Sequence, residues 1–193
     1  MMRNTKLLVV GIILSSLKTI IAIEPLSFSF VVLGDRTGGA DHVVFEQVVK
    51  QIKLINPDFI INIGDLIEGY TSDTQKINQE WDLIFSTLGK LKEKFYFTPG
   101  NHDIWDQISS QIYLNRTGYK KPYYAFSAHK CHFVIIDNSQ EEKIYEFDSV
   151  QLKWLNSTLA KYKRNDIVFC FMHKSFWKDT YINNKPDTLH KLF

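Results

Sequence analysis

Short apolar runs alternate with longer amphipathic segments along the chain from residue 28 onward. The short runs are rich in β-branched and aromatic residues, which predicts buried strands, whereas apolar residues spaced three and four apart predict helices. The predicted strands cover residues 28–33, 59–63, 95–98, 123–127, 132–136 and 167–172. The predicted helices cover residues 42–54, 77–91, 104–114 and 150–162. Asp148 is a candidate N-cap for the last of these helices.

The order of the elements predicts an α/β (α+β) fold in which a mixed sheet is flanked by helices, with one antiparallel hairpin formed by residues 123–136. Polar residues follow the ends of several buried runs. Open α/β sheets bind their ligands beyond the carboxyl ends of the strands. We therefore expect a functional site at that edge of the sheet.

The composition is that of one globular domain, since 45% of the 193 residues are apolar and 23% are charged. The formal net charge is +2, and Arg3, Lys6 and Lys18 near the N-terminus more than account for it. Nucleic-acid binding by counterion release needs clustered basic residues, so no nucleic-acid-binding surface is evident. Cys131 and Cys170 both lie in apolar runs, which favours buried free thiols and leaves a disulfide open.

Residues 1–22 have the order of a secretory signal peptide. A basic start is followed by an apolar stretch over residues 7–14 and by small and apolar residues up to Ala22. We expect cleavage after Ala22, a domain over residues 26–193 without a transmembrane segment, and an exported protein (periplasmic, extracellular or in the secretory-pathway lumen). The alternative is an uncleaved membrane anchor. Lys18 interrupts the apolar run well short of the roughly 20 residues that a spanning helix needs.

Polar clusters follow four of the predicted strands, at residues 34–39, 64–69, 100–103 and 171–174. Each cluster alone has a structural explanation as a turn, a helix cap or a single structural histidine. Together they bring two carboxylates, an amide oxygen and an imidazole to one edge, from Asp35, Asp65, Asn101 and His173. This mixed oxygen and nitrogen set suits a pair of divalent metal ions, and a shared carboxylate can bridge such a pair.

The order of these motifs resembles that of the calcineurin-like metallophosphoesterases, and the residues that carry it are Gly34-Asp35, Gly64-Asp65, Gly100-Asn101-His102-Asp103 and the strand-end His173. The resemblance implies a four-layer sandwich of mixed β-sheets flanked by helices, incomplete at the C-terminus. It also implies two divalent metal ions (Mn, Fe or Zn). Asp35 would bind the first ion, Asp65 would bridge both, and Asn101 and His173 would bind the second.

The resemblance further implies roles around the substrate phosphate. His102 would stabilise the transition state and protonate the leaving oxygen, and Asp103 would orient His102. Asn101 and His102 would contact the phosphate ester, and Arg36 either joins them or is a surface residue. The implied activity is hydrolysis of phosphoric esters, as a phosphatase or a phosphodiesterase.

Two departures from the motif order bear on this activity. Thr37 stands where the first motif usually has a histidine, and no Gly-His-x-His motif follows His173. Residues 187–193 are expected to begin the helix that leads to that motif, and we do not count His190 within it as a ligand. We therefore expect a C-terminally truncated domain in which each metal site lacks one ligand.

Two further questions stay open at the level of sequence. The alternative to an enzyme is a catalytically impaired relative that binds a phosphate compound or a protein without hydrolysis. Several aromatic residues follow the motifs and either stack on a substrate ring or cover the sheet edge, namely Tyr70, Trp105, Phe176 and Trp177.

Overall fold

The computed structural model describes residues 27–140 and 148–175. The described strands are β1 (Phe30–Leu33), β2 (Phe59–Asn62), β3 (Phe95–Tyr96), β4 (Tyr124–Ala128), β5 (Cys131–Ile135) and β6 (Ile167–Phe171). The described helices are α1 (His42–Ile55), α2 (Thr74–Leu88), α3 (Gln107–Thr117) and α4 (Ser149–Leu159), with a 3-10 helix over Gly89–Lys94. Each predicted element in these ranges is confirmed, with shifted ends. The predicted signal peptide and the predicted helix start over residues 187–193 lie outside the described residues.

An aspartate precedes each described α-helix and fixes where the helix begins. The carboxylates of Asp41, Asp73 and Asp148 accept hydrogen bonds from backbone N–H groups in the first turns of α1, α2 and α4. Asp106 forms a capping box with Ser109 at the start of α3. A cap of this kind stabilises a helix by about 1 kcal/mol, because the first N–H groups have no partner inside the helix. The caps explain why α2 begins earlier, and α3 later, than the apolar spacing predicts.

The strands form two three-stranded sheets. In the first sheet the order is β1-β2-β3 and both pairs are parallel, with Phe30 opposite Phe59. In the second sheet β4 and β5 form the predicted antiparallel hairpin, and β6 lies parallel to β5. The single mixed sheet predicted from the element order is therefore wrong, whereas the two-sheet sandwich implied by the resemblance is confirmed.

Apolar clusters separate four layers in the order helices, sheet, sheet, helix. One face of the first sheet packs against α1, α2 and α3, with the Ile60 and Trp81 side chains fully buried. Its other face meets the second sheet through aromatic rings such as Phe59 and Phe133, whose centroids lie 5.1 Å apart. The far face of the second sheet packs against α4 through Leu155. No helix among the described residues is long and apolar enough to cross a membrane.

Cys131 and Cys170 are free, half-buried thiols that belong to different apolar clusters. Cys131 packs between the two sheets, whereas Cys170 packs against the cluster beneath α4. Cys170 lies opposite Val134 rather than opposite Cys131. Side chains on opposite faces of a sheet point apart, so the alternative of a disulfide between these two residues is wrong. Burial raises the pKa of the Cys170 thiol to about 12.

Candidate metal centre

The ends of four strands bring the predicted ligands to one edge of the sandwich. Because β1, β2 and β3 run parallel, Asp35, Asp65 and Asn101 follow their carboxyl ends on the same side. His173 follows β6 of the second sheet, and its Nδ1 lies 2.9 Å from the carbonyl oxygen of Ile63 at the end of β2. The ligand atoms of Asp35, Asp65 and His173 all lie within 4.8 Å of one another.

His173 has one ring nitrogen available to a metal ion. A carbonyl oxygen only accepts hydrogen bonds, so Nδ1 carries the hydrogen that points to Ile63 and Nε2 is the nitrogen left to bind. Nε2 lies 2.9 Å from Asn101 Oδ1 and 3.3 Å from Asp65 Oδ2. Two ligand atoms that each lie about 2.1 Å from a cation and subtend a right angle at it are about 3.0 Å apart. Both distances from Nε2 are therefore close to the spacing of two ligands of one divalent ion.

Charge interactions favour the metal-binding form of Asp65. Burial raises the pKa of the Asp65 carboxyl, but hydrogen bonds from His173 and from the His102 backbone N–H outweigh burial and lower it overall. Burial lowers the pKa of His173, but the hydrogen bond and charge of Asp65 outweigh burial and raise it overall. Asp65 is therefore ionised and buried beside His173, and a metal ion that binds Nε2 of His173 has to displace a proton from it.

Asp35 and Asp65 both adopt left-handed backbone conformations, with φ of 49° and 57°. Non-glycine residues rarely adopt this conformation, and backbone strain of this kind concentrates at functional sites. The Asp35 side chain is 72% exposed and its Oδ1 lies 3.9 Å from Nδ1 of His173. Asp35 therefore gives the cluster a side that is open to solvent.

Two glycines allow the ligand-bearing loops to approach closely. A Cβ on Gly100 would lie 2.1 Å from Asp65 Oδ1 and 2.4 Å from the Asp65 backbone nitrogen. A Cβ on Gly64, whose φ is 100°, would lie 2.7 Å from Nδ1 of His173. These distances are far below van der Waals contact. A side chain at either position would push the ligands apart.

Asp103 is fully buried and joins two of the loops through backbone hydrogen bonds. Its carboxylate accepts from the N–H groups of Asp65 at 2.8 Å, Leu66 at 2.9 Å, Ile67 at 3.2 Å and Gly100 at 2.9 Å. Burial raises the pKa of Asp103 to about 6, and the backbone N–H groups oppose that rise, so the carboxyl is ionised at neutral pH. Asp103 therefore fixes the position of the Asp65 backbone.

These contacts correct the expectation that Asp103 orients His102. The Nδ1 atom of His102 instead contacts the carbonyl oxygen of Glu68, and the His102 backbone N–H donates to Asp65 Oδ1 at 3.0 Å. Because the carbonyl accepts, Nδ1 carries a hydrogen. Nε2 then faces the cluster, 3.9 Å from Asp65 Oδ2. The orientation of His102 comes from the loop after β2, which the sequence does not place beside it.

The Arg36 side chain packs against neighbouring groups, and its backbone N–H donates to the Asp65 carbonyl oxygen at 3.1 Å. Its Nη1 donates to the Leu66 carbonyl oxygen at 2.9 Å, and its guanidinium carbon lies 5.5 Å from the centroid of the Phe45 ring. The same three residues line a cavity of about 260 Å³ between β1 and α1. Arg36 is therefore half-buried rather than a surface residue, and its contact with a substrate phosphate stays a prediction. Thr37 follows as a half-buried residue.

Sequence reasoning did not predict how Tyr70 takes part in the site. The Asn101 amide nitrogen donates to the Tyr70 hydroxyl, and the Tyr70 ring lies 4.1 Å from the His102 ring. The contact fixes which end of the Asn101 amide faces His173. The sequence gives only a weak signal for this role of Tyr70, because an aromatic residue after a glycine turn is common in proteins of many kinds.

The fold and the cluster define a class of α/β sandwich with divalent-metal ligands at its strand ends. A sequence model of the calcineurin-like phosphoesterases matches residues 28–192, and the chain belongs to that family. The resemblance drawn from the motifs is thereby confirmed.

The chain resembles a curated human phosphatase in sequence and a dimetal phosphatase in fold. The chain is 25% identical to human tartrate-resistant acid phosphatase type 5 over 191 residues, covering 77% of this chain and 56% of that protein. It thus spans about half the length of the curated relative it matches. A dimetal phosphatase from Danio rerio has a similar fold, with a TM-score of 0.52 and 16% identity over 76% of this chain and 69% of that chain.

A second solved structure supports the same fold. Purple acid phosphatase PPD1 from yellow lupin (Lupinus luteus) seeds gives a TM-score of 0.54 with 16% identity, covering 74% of this chain and 29% of that chain. At this level of identity the likeness to both solved structures shows the fold alone.

Proposed function

We propose that this protein hydrolyses phosphoric esters with two divalent ions (Mn, Fe or Zn) held at the cluster. Asp35, Asp65, Asn101 and His173 would hold these ions, with the Asp65 carboxylate shared between them. The observation that carries the proposal is the Asp65 carboxylate, which is largely buried and contacts both His173 and His102. The donor set and the membership of the family support it.

The chain's own residues orient the ester and move the proton in this proposal. Bound divalent ions withdraw charge from the phosphoryl oxygens and make water a better nucleophile. Asn101 and His102 lie beside the phosphate. Water would attack phosphorus as the ester P–O bond breaks. His102, held through Nδ1 by the Glu68 carbonyl, would give the proton on Nε2 to the leaving oxygen and regain one from the attacking water. The Asp103 carboxylate keeps Asp65 in place by accepting a hydrogen bond from the Asp65 backbone N–H.

The test measures hydrolysis of p-nitrophenyl phosphate and bis(p-nitrophenyl) phosphate with added Mn, Fe(II) or Zn. Asp65→Asn is expected to lose metal and activity together, because a neutral amide bridges two cations poorly. His102→Ala is expected to keep its metal and to lose roughly 10²–10⁴-fold in rate. Asp82→Asn removes an exposed carboxylate that pairs with Arg116, and serves as the matched control with unchanged metal content and rate.

Two results would count against the proposal. Full activity in His102→Ala would remove the role given to His102. Absence of turnover with every metal, in this chain and in any longer product of the same gene, would contradict the hydrolase itself.

Thr37 supports a second candidate function, binding of a phosphate compound without hydrolysis. It stands where the first motif of the family usually has a histidine ligand. A protein of this kind would bind inorganic phosphate in a calorimetric titration with Mn and show no turnover. Hydrolysis that is lost in Asp65→Asn would exclude this candidate.

A further inference from the structure

Two large aromatic side chains face solvent beside the cluster. Tyr70 and Trp105 are 48% and 49% exposed, and their rings pack edge to face with centroids 4.7 Å apart. We call this pair the aromatic wall. Exposed aromatic rings next to a polar site are typical of recognition surfaces, because they offer large flat contact areas at low entropic cost.

The aromatic wall adjoins the proposed proton donor. The Tyr70 ring lies 4.1 Å from the His102 ring, and the Tyr70 hydroxyl accepts a hydrogen bond from the Asn101 amide. In the proposed function His102 protonates the leaving oxygen. The aromatic wall lies directly beside the His102 ring, and so next to that oxygen. The part of a substrate that meets the wall is therefore the leaving group.

Backbone hydrogen bonds fix the main chain that carries both rings. Tyr70 has a left-handed φ of 47° and follows Gly69, whose N–H donates to the Glu80 carboxylate at 2.9 Å. The Trp105 backbone N–H donates to the Ser109 hydroxyl at 2.8 Å, at the capped start of α3. A surface fixed before binding loses less conformational freedom when a ligand arrives.

We propose that the aromatic wall is a leaving-group subsite that favours phosphoric esters of a planar aromatic ring over alkyl esters. The inference rests on the proposed function, because the role of His102 decides which part of the substrate meets the wall. Stacking of one ring on an aromatic side chain strengthens binding by about tenfold or more. A saturated ring of similar size has no π face and gains less.

The test compares three phosphonates on the Mn-loaded protein by isothermal titration calorimetry. Phenylphosphonate, cyclohexylphosphonate and methylphosphonate have no ester bond to hydrolyse, so binding is read without turnover. Phenylphosphonate is expected to bind about tenfold more tightly than methylphosphonate, and cyclohexylphosphonate much less tightly than phenylphosphonate. Trp105→Ala is expected to remove most of this difference, and Trp105→Phe to restore it. Leu54→Ala removes a side chain on α1 that is 79% exposed and is expected to change nothing.

The outcomes separate this inference from the proposed function. Equal affinities for the methyl and phenyl compounds, or for the phenyl and cyclohexyl compounds, would overturn the subsite and leave the hydrolase standing. A phenyl preference that survives in Trp105→Ala, together with a lower melting temperature, would show that Trp105 only covers the sheet edge. No binding of any phosphonate with Mn, Zn or Fe(II) would overturn both. If Trp105→Ala does not fold, Trp105→Leu keeps the apolar bulk and makes the same comparison.

Discussion

Replacing Gly100 by alanine tests whether the close approach of two loops builds the metal cluster. The new Cβ would start 2.1 Å from Asp65 Oδ1 and 2.4 Å from the Asp65 backbone nitrogen. A non-bonded contact normally lies at about 3.5 Å, so Asp65 has to move by about 1.4 Å. Rotation of the Asp65 side chain does not relieve the clash, because the backbone nitrogen is also too close.

The size of this displacement sets the expected effects. Asp65 Oδ2 lies 3.3 Å from Nε2 of His173, which is ligand spacing. A misplacement of about 1 Å in a catalytic arrangement costs roughly 10²-fold in rate. Forcing an extra methyl group into a packed region costs about 1–3 kcal/mol of stability, or about 2–12 °C in melting temperature. We expect Gly100→Ala to weaken Mn binding in a calorimetric titration and to lower kcat/KM for an aryl phosphate by about 10²-fold.

Gly118→Ala is the matched control for this prediction. Gly118 ends α3 with a φ of 79°, and nothing lies within 4 Å of a Cβ placed there. Alanine in that conformation costs about 1–2 kcal/mol through backbone strain alone. Both variants therefore lose similar stability, whereas only Gly100→Ala displaces Asp65. Equal Mn affinity and equal kcat/KM in the two variants would refute the packing account of the site.

Three further predictions concern Tyr70, Cys170 and the N-terminus. Tyr70→Phe removes the hydroxyl that holds the Asn101 amide, so Mn affinity should fall by about tenfold in the same titration; an unchanged Kd would contradict this. With a pKa of about 12, the Cys170 thiol stays protonated at pH 8. In a Cys131→Ala background it should react with Ellman's reagent slowly until denaturant is added, and fast labelling would contradict its burial. Expression in a host with a secretory pathway should give an exported chain that begins near Ile23, and soluble intracellular protein starting at Met1 would count against export.

The secondary structure was predictable because apolar spacing is a property of the local sequence. The pairing of the strands was not, since the same strands satisfy one mixed sheet or two facing sheets. The choice between one sheet and two depends on contacts between residues far apart in the chain, such as Phe59 of β2 against Phe133 of β5. The helix ends were also misplaced, because Asp73 and Asp106 fix the starts through single hydrogen-bonding caps that an apolar pattern does not register.

Asp103 shows why the polar residues at the strand ends were easier to predict than the residues that hold them in place. Its place next to His102 suggests a direct contact between the two side chains. The buried Asp103 carboxylate instead accepts from backbone N–H groups 36 to 38 positions earlier in the chain and from Gly100. Ligand types at strand ends are written in the sequence as Asp, Asn and His. The spacing that brings them into one cluster depends on backbone contacts of Gly100 and Asp103, and only the folded arrangement of the two loops reveals those contacts.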